Sequence, residues 1–77
     1  MYYVGIDISK YKHDCFILDQ SGEIIVNDFV FANSMEGFQA FKTLLQSIAS
    51  PDEIKIGFEA TSHYTSNLKR FLENAHY

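Results

Sequence analysis

The sequence predicts an α/β fold in which three antiparallel strands are followed by a helix, a parallel fourth strand and a second helix. Three observations predict it. The first half of the chain carries three short apolar segments separated by turn residues. After residue 33 the apolar residues switch to helical spacing. A further apolar segment then precedes a second stretch of helical spacing.

The first three segments, residues 2–9, 13–19 and 23–32, have the composition of strands joined by short links, which predicts an antiparallel meander. The first is apolar and β-branched, as is typical of a central strand buried on both faces. In the third, Ile25, Phe29 and Phe31 share one parity, which predicts one buried face. Cys15 is expected to be a small buried apolar residue.

The first helix is predicted from apolar residues at helical spacing. They are Phe38, Phe41, Leu44, Leu45 and Ile48. Asn33, with Glu36 three residues later, resembles a capping box, which predicts the start of the helix. Residues 53–60 read as the fourth strand. Because a helix leads into this strand, the crossover favours parallel pairing with an earlier strand.

A second helix follows, and Thr61 or Ser62 can cap it. Its predicted apolar stripe is Tyr64, Leu68, Phe71, Leu72 and Ala75. The order β-β-β-α-β-α opens the ribonuclease-H-like (RuvC-like) fold and also the actin-like ATPase fold, in both of which the first strand is central with the fourth beside it. We therefore expect residues 1–77 to be the N-terminal part of such a domain.

The composition limits the classes of function that the chain can have. The chain is 47% hydrophobic, as in a globular protein, and its net charge of −4 argues against a free-standing nucleic-acid binder. A catalytic piece that collects carboxylates for metal is compatible with that charge. The single cysteine fits a reducing compartment, and no stretch approaches the roughly 20 apolar residues of a membrane span. We expect a cytoplasmic protein.

Two carboxylates stand out. Asp7 lies between Ile6 and Ile8, and a charge in such apolar surroundings is costly unless it is paired or bound to metal. Glu59 ends the fourth predicted strand. If the first and fourth strands are parallel neighbours, about 4.8 Å apart, the two carboxylates could share one Mg²⁺ or Mn²⁺ ion.

Gly5 and Gly57 each lie two residues before one of these acids and therefore share its face of the sheet. That spacing predicts a face cleared of bulky side chains behind both carboxylates. The alternative is that each glycine admits a closely packed helix.

Four segments carry a resemblance to a known family. They are VGIDISK at 4–10, DQSGE at 19–23, NSMEGF at 33–38 and GFEATSHY at 57–64. In order and spacing they resemble the N-terminal RuvC-like domain of the DEDD transposases, insertion-sequence recombinases related to the Piv and MooV DNA invertases. Ser62 departs from the family's G-x-E-A-T-G-H-Y pattern, in which a glycine occupies that position.

The resemblance implies that Asp7 and Glu59 are the first two of four metal-binding acids in an enzyme that cleaves and transfers DNA strands. It also implies a structured RNA partner encoded by the element. The other two acids and the proposed serine nucleophile are expected outside this chain. The isolated chain is therefore expected to bind Mg²⁺ weakly and to cleave nothing.

Lys10 and Lys12 follow Asp7, and His63 follows Glu59 at a predicted helix start, where phosphate is favoured. All three are candidate nucleic-acid contacts, although for the two lysines the pattern favours solvated turn charges. His13 and His76 belong to no motif and are read as incidental.

Three other functions stay open. An actin-like sugar kinase or ATPase also opens with a GIDxG strand, but Ser9 occupies the place of its second glycine. A RuvC-type junction resolvase shares the fold and the acid pair. The third alternative is an inactive remnant that acts only in assembly. For this chain we expect a homo-oligomer, formed by pairing of the open edge of the fourth strand or by swapping.

Overall fold

The structure, a computed structural model, describes residues 1–58 and 65–77. The described elements are β1 (Tyr2–Asp7), β2 (Lys12–Leu18), β3 (Ile24–Ala32), α1 (Met35–Ile48), β4 (Ile54–Phe58) and α2 (Thr65–Asn74). A short 3-10 turn, Pro51–Glu53, leads into β4. The predicted α/β architecture is confirmed. None of the described helices is long and apolar enough to span a membrane.

The strands form one mixed sheet in the order β3-β2-β1-β4. β1 pairs antiparallel with β2, and β2 pairs antiparallel with β3, which confirms the predicted meander. β4 lies parallel to β1, with Gly5 opposite Gly57 and Ile6 opposite Phe58. The helical connection places β4 beside β1, because a parallel partner cannot be reached by a tight turn. This arrangement is consistent with part of a ribonuclease-H-like fold.

The core lies on one face of the sheet, and both helices pack there. Val4, Ile6 and Ile8 point into this core, joined by α1 and α2 residues such as Phe41 and Leu68. On the opposite face Tyr3 is 45% exposed, and neither described helix covers it. The prediction that β1 is buried on both faces was therefore wrong for this chain. An apolar strand sequence does not specify what packs on each side.

A bulge in β3 reverses its alternation. Cys15 pairs with Phe29, but Ile17, two residues further along β2, pairs with Val26, three residues back along β3. The extra residue moves Val26 onto the core face and leaves Ile25 46% exposed. Phe31 is buried and Phe29 is partly buried, as predicted, whereas the prediction for Ile25 was wrong.

The start of α1 also differs from the prediction. Ser34 is the N-cap, and its side-chain oxygen accepts a hydrogen bond from the Gly37 amide at 3.2 Å. The predicted capping box of Asn33 and Glu36 is wrong, because the Asn33 side chain bonds to other partners. Gly37 is required where it stands, since a Cβ there would overlap the Ala32 carbonyl.

The apolar stripe of α2 matches the prediction where the structure describes it. Leu68 and Leu72 are buried, Phe71 is partly buried, and Ala75 follows the end of the helix. The predicted caps Thr61 and Ser62, and Tyr64 of the predicted stripe, lie outside the described residues.

Cys15 is 2% exposed, which confirms it as a buried core residue. Burial raises the pKa of its thiol to about 12, with smaller contributions from the negative charges of Asp28 and Asp14. The thiol therefore stays protonated and unreactive in the folded chain.

Candidate functional site

Asp7 is the last residue of β1 and faces away from the core. Its neighbours Ile6 and Ile8 are 0% and 8% exposed, whereas Asp7 itself is exposed. The alternation of the strand explains this difference, since consecutive side chains point to opposite faces. The expectation that Asp7 sits in apolar surroundings was therefore wrong. Its carboxylate is solvated, and it is free to bind a ligand on the open face of the sheet.

A second carboxylate, on Asp14, lies opposite Asp7. The two residues are paired across β1 and β2. Directly opposed side chains share one face, with Cβ atoms about 4.5–5.5 Å apart. The sequence reasoning missed Asp14, although the β1–β2 hairpin contained the signal. Any pairing centred on the link between Lys10 and Tyr11 brings residues 7 and 14 together.

We expect Asp14→Asn to stabilise the chain by a few tenths of a kcal/mol at low salt, because like charges directly opposite each other on a sheet repel. The gain should shrink as salt is added, since exposed charges are screened. Urea unfolding at two salt concentrations measures it, with Asp52→Asn as the control at the far end of β4. Equal midpoints for Asp14→Asn and the wild type at low salt would contradict the repulsion.

The second predicted acid, Glu59, lies outside the described residues, and so does His63. The described part of β4 ends at Phe58, which pairs with Ile6. Within residues 1–58 and 65–77, no three potential metal-binding side chains of His, Cys, Asp or Glu come together. Among the described residues, Asp7 and Asp14 are therefore the two carboxylates that lie opposite each other at this end of the sheet.

The paired glycines behave differently from each other. The Phe16 ring covers Gly5, and a Cβ on Gly5 would overlap its tip. A Cβ on Gly57 would meet no described atom within 4 Å. The expectation of a face cleared of bulk is thus wrong at Gly5 and consistent with Gly57. The alternative, a helix packed against the glycines, is not what the described helices do, because they lie on the other face.

The turn after Asp7 carries the two candidate phosphate-binding lysines. Lys10 and Lys12 are both exposed, and the Lys10 ammonium lies 5.2 Å from the centre of the Tyr11 ring. The Ser9 hydroxyl donates a hydrogen bond to the Lys12 carbonyl, which closes the turn. The structure therefore brings both lysines to the end of the sheet where Asp7 lies.

His13 is not incidental, although nothing in its local sequence marks it. It is fully buried at the start of β2. Its Nδ1 lies 3.3 Å from the Ser9 amide nitrogen, and its Nε2 lies 3.1 Å from Asn33 Oδ1. The imidazole thus joins the turn after Asp7 to the residue just before the α1 cap.

Comparison with known proteins agrees with the resemblance seen in the sequence. A family model described as "Transposase", that of the IS110-type DEDD transposases, matches residues 4–77. No curated protein matches the chain. The matched span covers nearly the whole chain and includes both Asp7 and Glu59, which favours the transposase reading over the kinase and resolvase alternatives. The chain therefore belongs to the DEDD transposase family.

Proposed function

We propose that this chain is the N-terminal part of the RuvC-like catalytic domain of a DNA transposase, with Asp7 and Glu59 as its first two metal-binding carboxylates. The register of β1 with β4 carries the proposal. Ile6 lies opposite Phe58, the last described residue of β4, and Asp7 and Glu59 are the residues that follow these two in the sequence. Neighbouring strands are about 4.8 Å apart, which suits two carboxylates that share a cation.

The side chains fit Mg²⁺ or Mn²⁺. Carboxylate oxygens are the ligands that these ions prefer, and the Asp7 carboxylate is exposed on the open face. No described atom would lie within 4 Å of a Cβ at Gly57, so the described residues leave room for water ligands there. When bound, the ions would supply activation of the nucleophile and stabilisation of charge on the leaving oxygen of a phosphodiester.

The turn after β1 would contact the DNA backbone. Lys10 and Lys12 are exposed at the end of the sheet where Asp7 lies, and lysine contacts to phosphates fix the register of a nucleic acid without reading its sequence. His63 would add a contact next to Glu59. Since the chain carries a net charge of −4, most of the attraction for DNA and for a structured RNA would come from other parts of the protein.

Metal titration of the 77-residue chain, followed by NMR, tests this proposal. Chemical shift changes with Mg²⁺, and broadening with Mn²⁺, should centre on Asp7 and Glu59 and disappear in Asp7→Asn and in Glu59→Gln. Binding should be weak, and the chain alone should cleave no DNA, because two of the four acids are missing. Asp52→Asn removes a carboxylate at the other end of β4 and should leave the titration unchanged. Shifts that persist in both site variants would refute the proposal.

A second candidate function is assembly, which the position of β4 favours. β4 is one of the two edge strands of the described sheet, the other being β3, and unpaired strand edges invite pairing with another chain. Beside it runs a groove lined by Ile56, Phe58, Lys69, Leu72, Glu73 and Tyr77. The Tyr77 hydroxyl is buried there with no described hydrogen-bond partner.

We therefore expect the chain to dimerise, with β4 of one copy pairing with β4 of the other. Light scattering at increasing protein concentration measures the mass. A chain that remains monomeric at the highest concentration would rule out this second function.

A further inference from the structure

A hydrogen-bond network that starts from the buried His13 side chain holds the turn that follows Asp7. Asn33 Nδ2 donates to the Lys10 carbonyl at 2.9 Å, and the Asn33 backbone amide donates to the Tyr11 carbonyl at 2.8 Å. His13 adds the third contact through the Ser9 amide. The backbone groups of Ser9, Lys10 and Tyr11 are therefore each hydrogen-bonded to His13 or to Asn33.

The network fixes the protonation of the imidazole. A backbone amide can only donate, so the Ser9 contact makes Nδ1 an acceptor. Asn33 uses its Nδ2 as donor to Lys10, so its Oδ1 is the acceptor that faces Nε2. His13 is consequently neutral, with its proton on Nε2. Both ring nitrogens are satisfied, as a fully buried polar side chain requires.

The imidazole is itself held rigidly. Its ring meets Phe31 of β3 edge-on at a centroid distance of 5.3 Å and lies parallel to Phe38 of α1 at 6.4 Å. The turn, by contrast, is exposed from Ser9 to Lys12 and contains no glycine or proline. Apart from the bond between the Ser9 hydroxyl and the Lys12 carbonyl within the turn, its conformation depends on the bonds from His13 and Asn33, which connect it to the core.

We propose that His13 and Asn33 are positioning residues for the nuclease site. They hold the turn so that the Asp7 carboxylate and the Lys10 ammonium keep a fixed position relative to each other. This rests on the proposed function, in which Asp7 binds metal. The bonded Ser9 amide lies two residues beyond Asp7, and the buried Ile8 between them transmits its position. Catalytic geometry is sensitive to such support, because displacements of about 1 Å can cost about 100-fold in rate.

Three variants of the 77-residue chain separate positioning from packing. Asn33→Ala removes the side-chain bonds to the Lys10 carbonyl and to His13 Nε2 while leaving the buried ring itself in place. His13→Leu keeps the core filled but loses both ring nitrogens. His13→Asn restores an acceptor close to the place of Nδ1 and should recover part of the effect. Asp52→Asn is the control variant, because Asp52 lies just before β4 and is remote from the turn.

The first readout needs no metal. In the wild type, long-range ¹H–¹⁵N NMR should show the Nε2-protonated tautomer, and the Ser9 amide should be protected from hydrogen exchange. In Asn33→Ala and His13→Leu, amide exchange across residues 9–11 should accelerate and the Asp7 carboxyl ¹³C signal should shift, while the amides of β4 and α2 stay as they were. Unchanged exchange at 9–11 with an unchanged Asp7 signal would overturn the proposal.

The second readout is Mn²⁺ affinity. Asn33→Ala should weaken it by about threefold to tenfold, less than the roughly 10- to 100-fold cost of removing a direct partner of a metal ligand. If the turn is loosened in Asn33→Ala but the affinity for Mn²⁺ equals that of the wild type, the positioning role is also overturned. That result would show that the conformation of the turn does not affect metal binding. If the wild type binds no Mn²⁺ near Asp7, the proposed metal site fails, and the tautomer, exchange and Asp7 signal alone decide this inference.

Discussion

Phe41→Ala should remove most of the stability of the folded chain. The Phe41 ring is 0% exposed and stacks on Phe31 at a centroid distance of 4.5 Å and an interplanar angle of 6°. Truncating a buried phenylalanine costs about 3–5 kcal/mol. A domain of 77 residues has a total stability of roughly 4–12 kcal/mol, at about 0.05–0.15 kcal/mol per residue. Since neither described helix covers the second face of the sheet, we expect the lower part of that range.

Urea unfolding followed by circular dichroism measures the effect, and Met35→Ala is the matched control. Met35 lies on the same helix and is also apolar, but it is 65% exposed. Its truncation should change the free energy of unfolding by about 0.5 kcal/mol or less. Similar unfolding midpoints for the two variants would contradict the assignment of Phe41 to the centre of the core.

The order of elements could be predicted because its signals are local. The change from strand to helical spacing after residue 33 and the short links before it are enough to give a meander and a crossover. The bulge in β3 could not be predicted. Parity assumes uninterrupted pairing, and the register that exposes Ile25 is set by β2, whose Ile17 pairs with Val26.

The candidate site could be predicted only in part, because some of its signals are local and others depend on how the strands pair. Asp7 stands out because it interrupts an apolar strand, whereas Asp14 becomes significant only once the hairpin register is known. His13 and Asn33 are 20 residues apart, and their hydrogen bond is a tertiary contact that leaves no spacing signal. That contact also explains the shift of the helix cap. Asn33 and Ser34 are both good caps, and the one that is not engaged elsewhere caps α1.

In a complete transposase that contains this chain, Asp7→Asn should reduce DNA cleavage by about 1000-fold or more. In the proposed site the substitution removes an anionic ligand from an ion that would contribute several kcal/mol to the stability of the transition state, and each factor of ten corresponds to about 1.4 kcal/mol. Folding should be preserved, because Asp7 is exposed and losing its charge relieves the repulsion with Asp14. The loss should therefore appear in the rate of cleavage and not in the yield of folded protein.

Measuring DNA affinity distinguishes the loss of a metal ligand from the loss of a DNA contact. Removing a negative charge beside Lys10 and Lys12 should leave DNA binding equal to the wild type or slightly tighter. Lys10→Ala should show the reverse pattern, with weaker and more salt-sensitive binding but a smaller loss of cleavage at saturating DNA. Cleavage by Asp7→Asn within tenfold of the wild type would show that Asp7 does not bind the catalytic metal. The nuclease role of this end of the sheet would then rest on family membership alone.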